Sequence, residues 1–226
     1  MRVFRFQLIA LILALALAAF AALKLEQEKN SLTSAIAGQA EEVLYLPSGK
    51  ALRFMSFGYR TVFSQLLWFN TISYFGKHFR QDQNYRWLGH MCKLVSNLDP
   101  RAEHVYLFCS TMLSWEANAP REALAVLNQG IESHPNNWYF HYLRGFNYLF
   151  FLKEPVRAKE DLMRAAELPG AEPFVARMAA KQIADLESTD SAVEFLRQTL
   201  RRTSDPVVRQ ALQNKIDRLT QGGSRP

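Results

Sequence analysis

Four segments of the chain place apolar residues at i, i+3 or i+4, and i+7: YRWLGHMCKLVSNLDP, PREALAVLNQGIESHP, PVRAKEDLMRAAELPG and DSAVEFLRQTLRRTSDP. That is the period of a helix buried on one face, and each run stops at a proline, which removes a backbone donor and cannot continue a helix. Their corresponding positions are Leu88, Ala123, Ala158 and Ala192, separated by 35, 35 and 34 residues. Leu127, Leu162 and Leu196 follow at +4, Gly130, Ala165 and Thr199 at +7, and Pro100, Pro135, Pro169 and Pro206 end the runs. Paired antiparallel helices come close only where a small side chain faces the partner, with a large apolar one filling the next turn. From about residue 51 onward the chain shows almost no strand alternation.

Between these segments lies NNWYFHYLRGFNYLFFLKEP, with eight Trp, Tyr or Phe residues in the fourteen positions from Trp138 to Phe151, although aromatics are 12% of the chain. Gly145-Phe146-Asn147-Tyr148 supplies G-x-x-Y, thirteen residues before Ala158, and Trp138, Tyr142 and Leu143 stand just upstream. Together these features resemble the tetratricopeptide repeat family, whose pattern is W-x2-L-G-x2-Y, then A-x3-F, then P over 34 residues. A strict repeat has twelve residues between that Gly and Ala, which implies one extra residue in the loop around Lys153 to Pro155. The unit from 103 to 135 places Thr111 and Ser114 at the Gly and Tyr positions, and FVARMAAKQIADLES places Ala179 and Ala180 there. The resemblance covers roughly residues 56 to 220. It implies stacked helix hairpins whose concave face binds peptides, helices or other proteins, with PVVRQALQNKIDRLT as the capping helix of the array. The chain is also similar to a group of membrane-anchored bacterial repeat proteins of undefined role, a likeness that supplies no catalytic residue.

At the N-terminus, Arg2 and Arg5 precede eighteen uncharged, mostly apolar residues from Phe6 to Leu23. As a helix this run spans roughly 27 Å, close to the hydrocarbon thickness of a bilayer. A cleavable signal peptide ending at Ala19-Phe20-Ala21 is the competing reading. An uncleaved anchor is favoured, because the run lasts to Leu23 without the usual polar stretch before a cleavage site. Either way the positive-inside rule places the remainder outside the cytoplasm, in the periplasm of a bacterial cell. LEQEKNSLTSAIAGQAEEVLY has helical composition and reads as a stalk, and LPSGK breaks it. TVFSQLLWFNTISYF, residues 61 to 75, is apolar but carries Ser64, Gln65, Asn70, Thr71 and Ser73, so it reads as the buried first helix of the first repeat. The alternative is a helix lying against the membrane or another subunit.

The net charge of +6 changes this picture little, because basic and acidic residues are interspersed and no basic stripe suggests nucleic acid. Glu41-Glu42, Glu160-Asp161, Asp99 and Asp205 read as surface or capping carboxylates, since adjacent helical residues diverge by about 100°. The histidines His78, His90, His104, His134 and His141 show no metal-ligand spacing, and no nucleophile elbow or phosphate loop occurs. No enzymatic activity, cofactor or metal is expected. Cys92 and Cys109 lie on either side of the turn near residues 99 to 101 at nearly equal distance from it. Their sulfurs can therefore meet as a disulfide, with two independently buried thiols as the alternative.

The expected protein is all-α: a transmembrane signal anchor (1–23), a helical stalk and turn (24–50), an α-solenoid of about four degenerate tetratricopeptide-like hairpins with a C-terminal capping helix (51–220), and a disordered tail (221–226). The expected function is a non-enzymatic scaffold or adaptor held at the inner membrane through residues 6–23 and recognising a partner protein. Trp138, Tyr139, Tyr142 and Phe146 are its expected aromatic contacts, with Arg144 as a polar clamp. The alternative is a permanent accessory subunit of a membrane or envelope complex.

Overall fold

A computed structural model of the chain describes Lys24 and residues 59–222. The expected anchor, the stalk apart from Lys24, and the LPSGK turn lie outside the described residues. Residues 59–222 fall within one compact unit. It contains the helices α1 (Arg60–Arg80), α2 (Leu88–Leu98), α3 (Glu103–Trp115), α4 (Pro120–Ser133), α5 (Trp138–Phe150), α6 (Pro155–Glu167), α7 (Pro173–Leu186), α8 (Thr189–Arg202) and α9 (Pro206–Gly222), with no strand among the described residues.

Local chemistry explains most of these boundaries. Pro120, Pro155, Pro173 and Pro206 open α4, α6, α7 and α9, where the missing N–H is one that the first turn leaves unpaired anyway. The Asn137 side chain caps α5 by accepting from the Tyr139 N–H, and Ser188 caps α8 by accepting from Ser191. Asp205 accepts from Val207 N–H at 2.8 Å and does the same for α9. The spacing puts Pro206 at the end of the fourth segment, but α8 stops at Arg202 and this proline begins the next helix. In turn α9 runs through Gln221 to Gly222, into the stretch expected as a tail; residues 223–226 lie outside the described residues.

Consecutive helices pack antiparallel as the hairpins α1/α2, α3/α4, α5/α6 and α7/α8, and each helix touches its chain neighbours. Beyond these, α2 reaches α4, α3 reaches α5 and α7 reaches α9. This nearest-neighbour stacking defines a helical-repeat solenoid. The aligned residues Leu88, Ala123, Ala158 and Ala192 are all fully buried, as are Leu162 and Leu196, with Leu127 nearly so. Leu212 and Ile216 of α9 are buried against the last hairpin, so α9 covers its apolar face.

The small residues sit where helices approach. A side chain at Gly145 would meet Leu162 Cγ at 3.0 Å and the Ala158 carbonyl at 3.2 Å, and one at Gly130 would meet the Tyr106 ring at 3.2 Å. The extra residue expected near Lys153 is present, and it has a counterpart one hairpin earlier. Lys153 and Asn118 both adopt left-handed backbone (φ 58° and 48°), two residues before the proline that opens the next helix. In these turns Glu154 N–H donates to Tyr148 O and Ala119 N–H to Leu113 O, each at 2.8 Å. The thirteen-residue spacing therefore applies to both hairpins. Ser110 and Leu113, not Thr111 and Ser114, are the counterparts of Gly145 and Tyr148.

Cys92 of α2 and Cys109 of α3 are joined by a disulfide, with their Cα atoms 5.9 Å apart and both side chains fully buried. The bond fastens the first hairpin to the second. The inward face of α1 is Ser64, Leu67, Thr71, Tyr74 and His78, while Val62, Leu66 and Phe69 are 54%, 60% and 69% exposed. The expectation of a buried first helix thus holds for one face only, and that face is largely polar. Its polar groups are satisfied locally: Thr71 Oγ1 donates to Leu67 O at 2.8 Å, Tyr74 OH to Asn84 O at 2.8 Å, and His78 Nδ1 meets Asp82 Oδ1 at 2.5 Å. Trp68 and Phe75 complete the contact edge-on against Phe108, with ring centroids 5.2 and 5.3 Å away.

Two measurements check this packing. Alkylation under denaturing, non-reducing conditions is expected to find no free thiol, and reduction of this bond across a sequence separation of 17 is expected to lower stability by about 3 kcal/mol; two free thiols would contradict the linkage. Gly145→Val is expected to lower stability by about 2 kcal/mol in a urea titration, because a carbonyl in the Ala158 turn cannot yield as a side chain would.

Candidate functional site

Helix α5 carries the aromatic-rich stretch, and its helical period sorts those residues. Phe140 is fully buried and meets Tyr106 edge-on at 5.7 Å, while Gly145 is buried against α6. Tyr139, Tyr142, Phe146 and Phe150, spaced i+3 or i+4, line the opposite side, with successive ring centroids 5.6, 6.1 and 4.3 Å apart. Trp115 at the end of α3 and Phe151 beyond α5 close this row, with Trp115 meeting Phe146 at 6.1 Å and Phe151 at 5.1 Å.

The aromatic side chains wall a cleft of about 220 Å³ between α3, α4 and α5. Trp115, Tyr139, Tyr142, Phe146 and Phe151 form its sides, Leu127 and Leu143 lie beneath, and Ser110, Thr111, Ser114 and Asn147 supply polar atoms. Asn147 is only 2% exposed. Its Nδ2 donates to Ser114 Oγ at 2.6 Å, whereas Oδ1 is buried without a hydrogen-bond partner among the described residues. A buried carbonyl left unpaired is destabilising, by roughly 1–3 kcal/mol, so a site that retains one gains from a ligand N–H. Burial raises the Tyr142 phenol above its ordinary pKa, with Tyr139 adding to the effect, so this hydroxyl stays neutral.

Three of the five expected contact residues, Tyr139, Tyr142 and Phe146, meet at this cleft. Trp138 instead turns toward the following hairpin, 6.3 Å from the Phe174 ring and beside Gly170. Arg144, expected as a polar clamp, is bonded within the chain. Its Nε and Nη2 donate to the two carboxylate oxygens of Asp161 at 2.8 and 2.6 Å, and Nη1 donates to Asn128 Oδ1 at 2.8 Å. The guanidinium is committed to holding α5 against α6 and α4.

Asp161 itself departs from the expected surface carboxylate, being 6% exposed. Burial pushes its pKa up, but the Arg144 hydrogen bonds and nearby His141 outweigh that and hold it below the usual carboxylate value. Its neighbour Glu160 is not buried, so the two diverge as adjacent helical residues should. Asp99 and Asp205 do serve turns, accepting from Arg101 N–H and Val207 N–H.

Sequence reasoning missed Trp115, Ser114, Phe151 and Asn147. Trp115 and Phe150 stand 35 residues apart, a signal within the repeat period. Asn147 offered only its polarity inside an aromatic run, and the approach of Ser114, 33 residues away, is a tertiary event.

The fold and cleft define a helical-repeat module with a side-chain-sized recess on one face, and among the described residues no group of His, Cys, Asp or Glu is arranged to hold a metal ion. No protein-family model matches the chain, and no curated protein matches it. Among solved structures, two crystal structures of MamA are similar. One is 14% identical with a TM-score of 0.42, covering 64% of this chain and 91% of that one; the other is 17% identical at 0.43, covering 67% and 88%. Superposition this loose transfers no role from MamA to this chain.

The Asp161 environment predicts a pH dependence. A carboxylate whose pKa is lower in the folded than in the unfolded state stabilises the fold above its unfolded value of about 3.9, and that contribution disappears as pH falls through the folded value. Asp161→Asn, which leaves Arg144 without its carboxylate, is expected to be less stable than the native chain by about 3 kcal/mol at neutral pH. In urea titrations the difference should shrink toward about pH 3; an equal gap at both pH values would contradict the assignment.

Proposed function

We infer that the protein is a non-enzymatic binding module that grips an apolar or aromatic side chain of a partner protein in the cleft between α3, α4 and α5. The observation that carries this reading is Asn147 Oδ1, buried without a partner in the polar part of an aromatic-walled recess. An apolar pocket with few placed polar groups suits one anchor residue of a peptide or helix, whose backbone or side-chain N–H would satisfy the carbonyl. Tyr and Trp walls offer large contact area at low entropic cost.

The same reading places the module at a membrane. Support comes from the apolar run of residues 6–23 with Arg2 and Arg5 before it, which suits a single-pass inner-membrane anchor with the repeat domain on the extracytoplasmic side. The Cys92–Cys109 disulfide fits an oxidising compartment. The partner is accordingly a membrane or envelope protein.

The test is photocrosslinking in native membranes with a benzophenone amino acid in place of Tyr139, compared with the same group in place of Gln213 on α9. A discrete adduct from position 139 alone is expected. Adding Tyr142→Ala and Phe146→Ala should reduce it by about tenfold or more, the effect of losing central aromatic anchors. Equal labelling from both positions would overturn the cleft as the binding site. An adduct that survives loss of the cleft aromatics in a stoichiometric, co-purifying complex would instead support a permanent accessory subunit.

A further inference from the structure

Helix α1 is apolar on two sides: Leu67 and Tyr74 are buried beside Ser64, Thr71 and His78, while Val62, Leu66 and Phe69, flanked by Phe63 and Ile72, face outward. Those five side chains are not needed for the hairpin to fold, since the inward contacts come from other residues. The charge pattern around them is equally one-sided. Between Glu42 and Asp82 the sequence has no Asp or Glu and carries Lys50, Arg53, Arg60, Lys77 and Arg80. Asp82, the first carboxylate after that interval, is engaged by His78.

We propose that the outward face of α1 lies in the headgroup and acyl boundary of an anionic bilayer, as a second, interfacial contact of this domain with the membrane. An apolar stripe with cations at both ends and no anion is the composition of a helix that rests on such a surface. Fluid acyl chains accept uneven side chains such as Phe63, Val62 and Phe69, and the cations at Arg60 and Arg80 meet lipid phosphates. A protein partner would have to supply acidic groups at both ends of one helix.

No helix among the described residues is long and apolar enough to cross a membrane, so α1 lies along the surface. With 21 residues it extends roughly 31 Å in that plane. It is also the first described helix after the apolar run of residues 6–23. The contact does not require that run to be a membrane anchor.

Full-length protein carrying Leu66→Cys, Phe69→Cys or, as a control, Gln213→Cys would be labelled with an environment-sensitive nitrobenzoxadiazole. The native cysteines, joined to each other, do not react. In vesicles of phosphatidylcholine and phosphatidylglycerol, the labels at 66 and 69 are expected to shift to the blue and be quenched by doxyl-lipid. The label at 213 should remain in water, and the quenching at 66 and 69 should fall in pure phosphatidylcholine.

Labels at 66 and 69 as wet as the one at 213 would overturn the proposal. So would a blue shift without doxyl quenching, the signature of a second copy, another protein or the chain's own upstream segment covering the face. Alkaline extraction separates this from the anchor: chains that are stripped from vesicles at high pH, yet quenched before stripping, keep the α1 contact and lose the anchor reading. Chains that never co-float with the vesicles lose both.

Discussion

Close approach of helices at small residues is the constraint on which the rest of this structure depends. Ala123, Ala158 and Ala192 stand fully buried at corresponding points of successive hairpins, and a Cβ at Gly130 or Gly145 would crowd Tyr106 or α6. Because dense packing offers no slack, each small residue sets how its helix pair lies together. The repeated spacing then carries one geometry from hairpin to hairpin. Asn118 and Lys153 accept the left-handed backbone that keeps two of the turns alike.

That geometry decides which aromatics are structural and which are free to act. Once Gly145 faces α6, Phe140 faces the stack, and Tyr139, Tyr142 and Phe146 fall on the opposite side. Arg144, between these faces, is held by Asp161 and Asn128, so a side chain that looks available becomes a brace across three helices. In the cleft, Asn147 has one amide atom paired to Ser114 and the other unpaired among the described residues.

The ends of the array solve opposite problems. At the C-terminus, α9 covers the last hairpin with Leu212 and Ile216 and turns a polar face outward. At the first described helix, α1 buries Ser64, Thr71 and His78 beside Leu67 and Tyr74 and leaves further apolar groups outward, and the Cys92–Cys109 bond fastens its hairpin to the next. An end repeat stabilised covalently can carry an apolar outer surface that a core-driven helix could not spare.

By itself the sequence determined the all-helical class, the 34- and 35-residue spacing, the helix ends marked by proline, the capping helix and the extra residue near Lys153, and it placed two cysteines at nearly equal distance from one turn. Each of these rests on local sterics or on periodicity, which are legible along one chain. Only tertiary structure decided that Ser110 matches Gly145, that α1 buries polar residues and exposes apolar ones, that Asp161 is buried, and that Arg144 is engaged by it. It also decided that Trp115, Ser114 and Asn147 join the aromatics of α5. Those outcomes depend on which helix lies opposite which, a relation between residues 16 to 36 positions apart that no local pattern encodes.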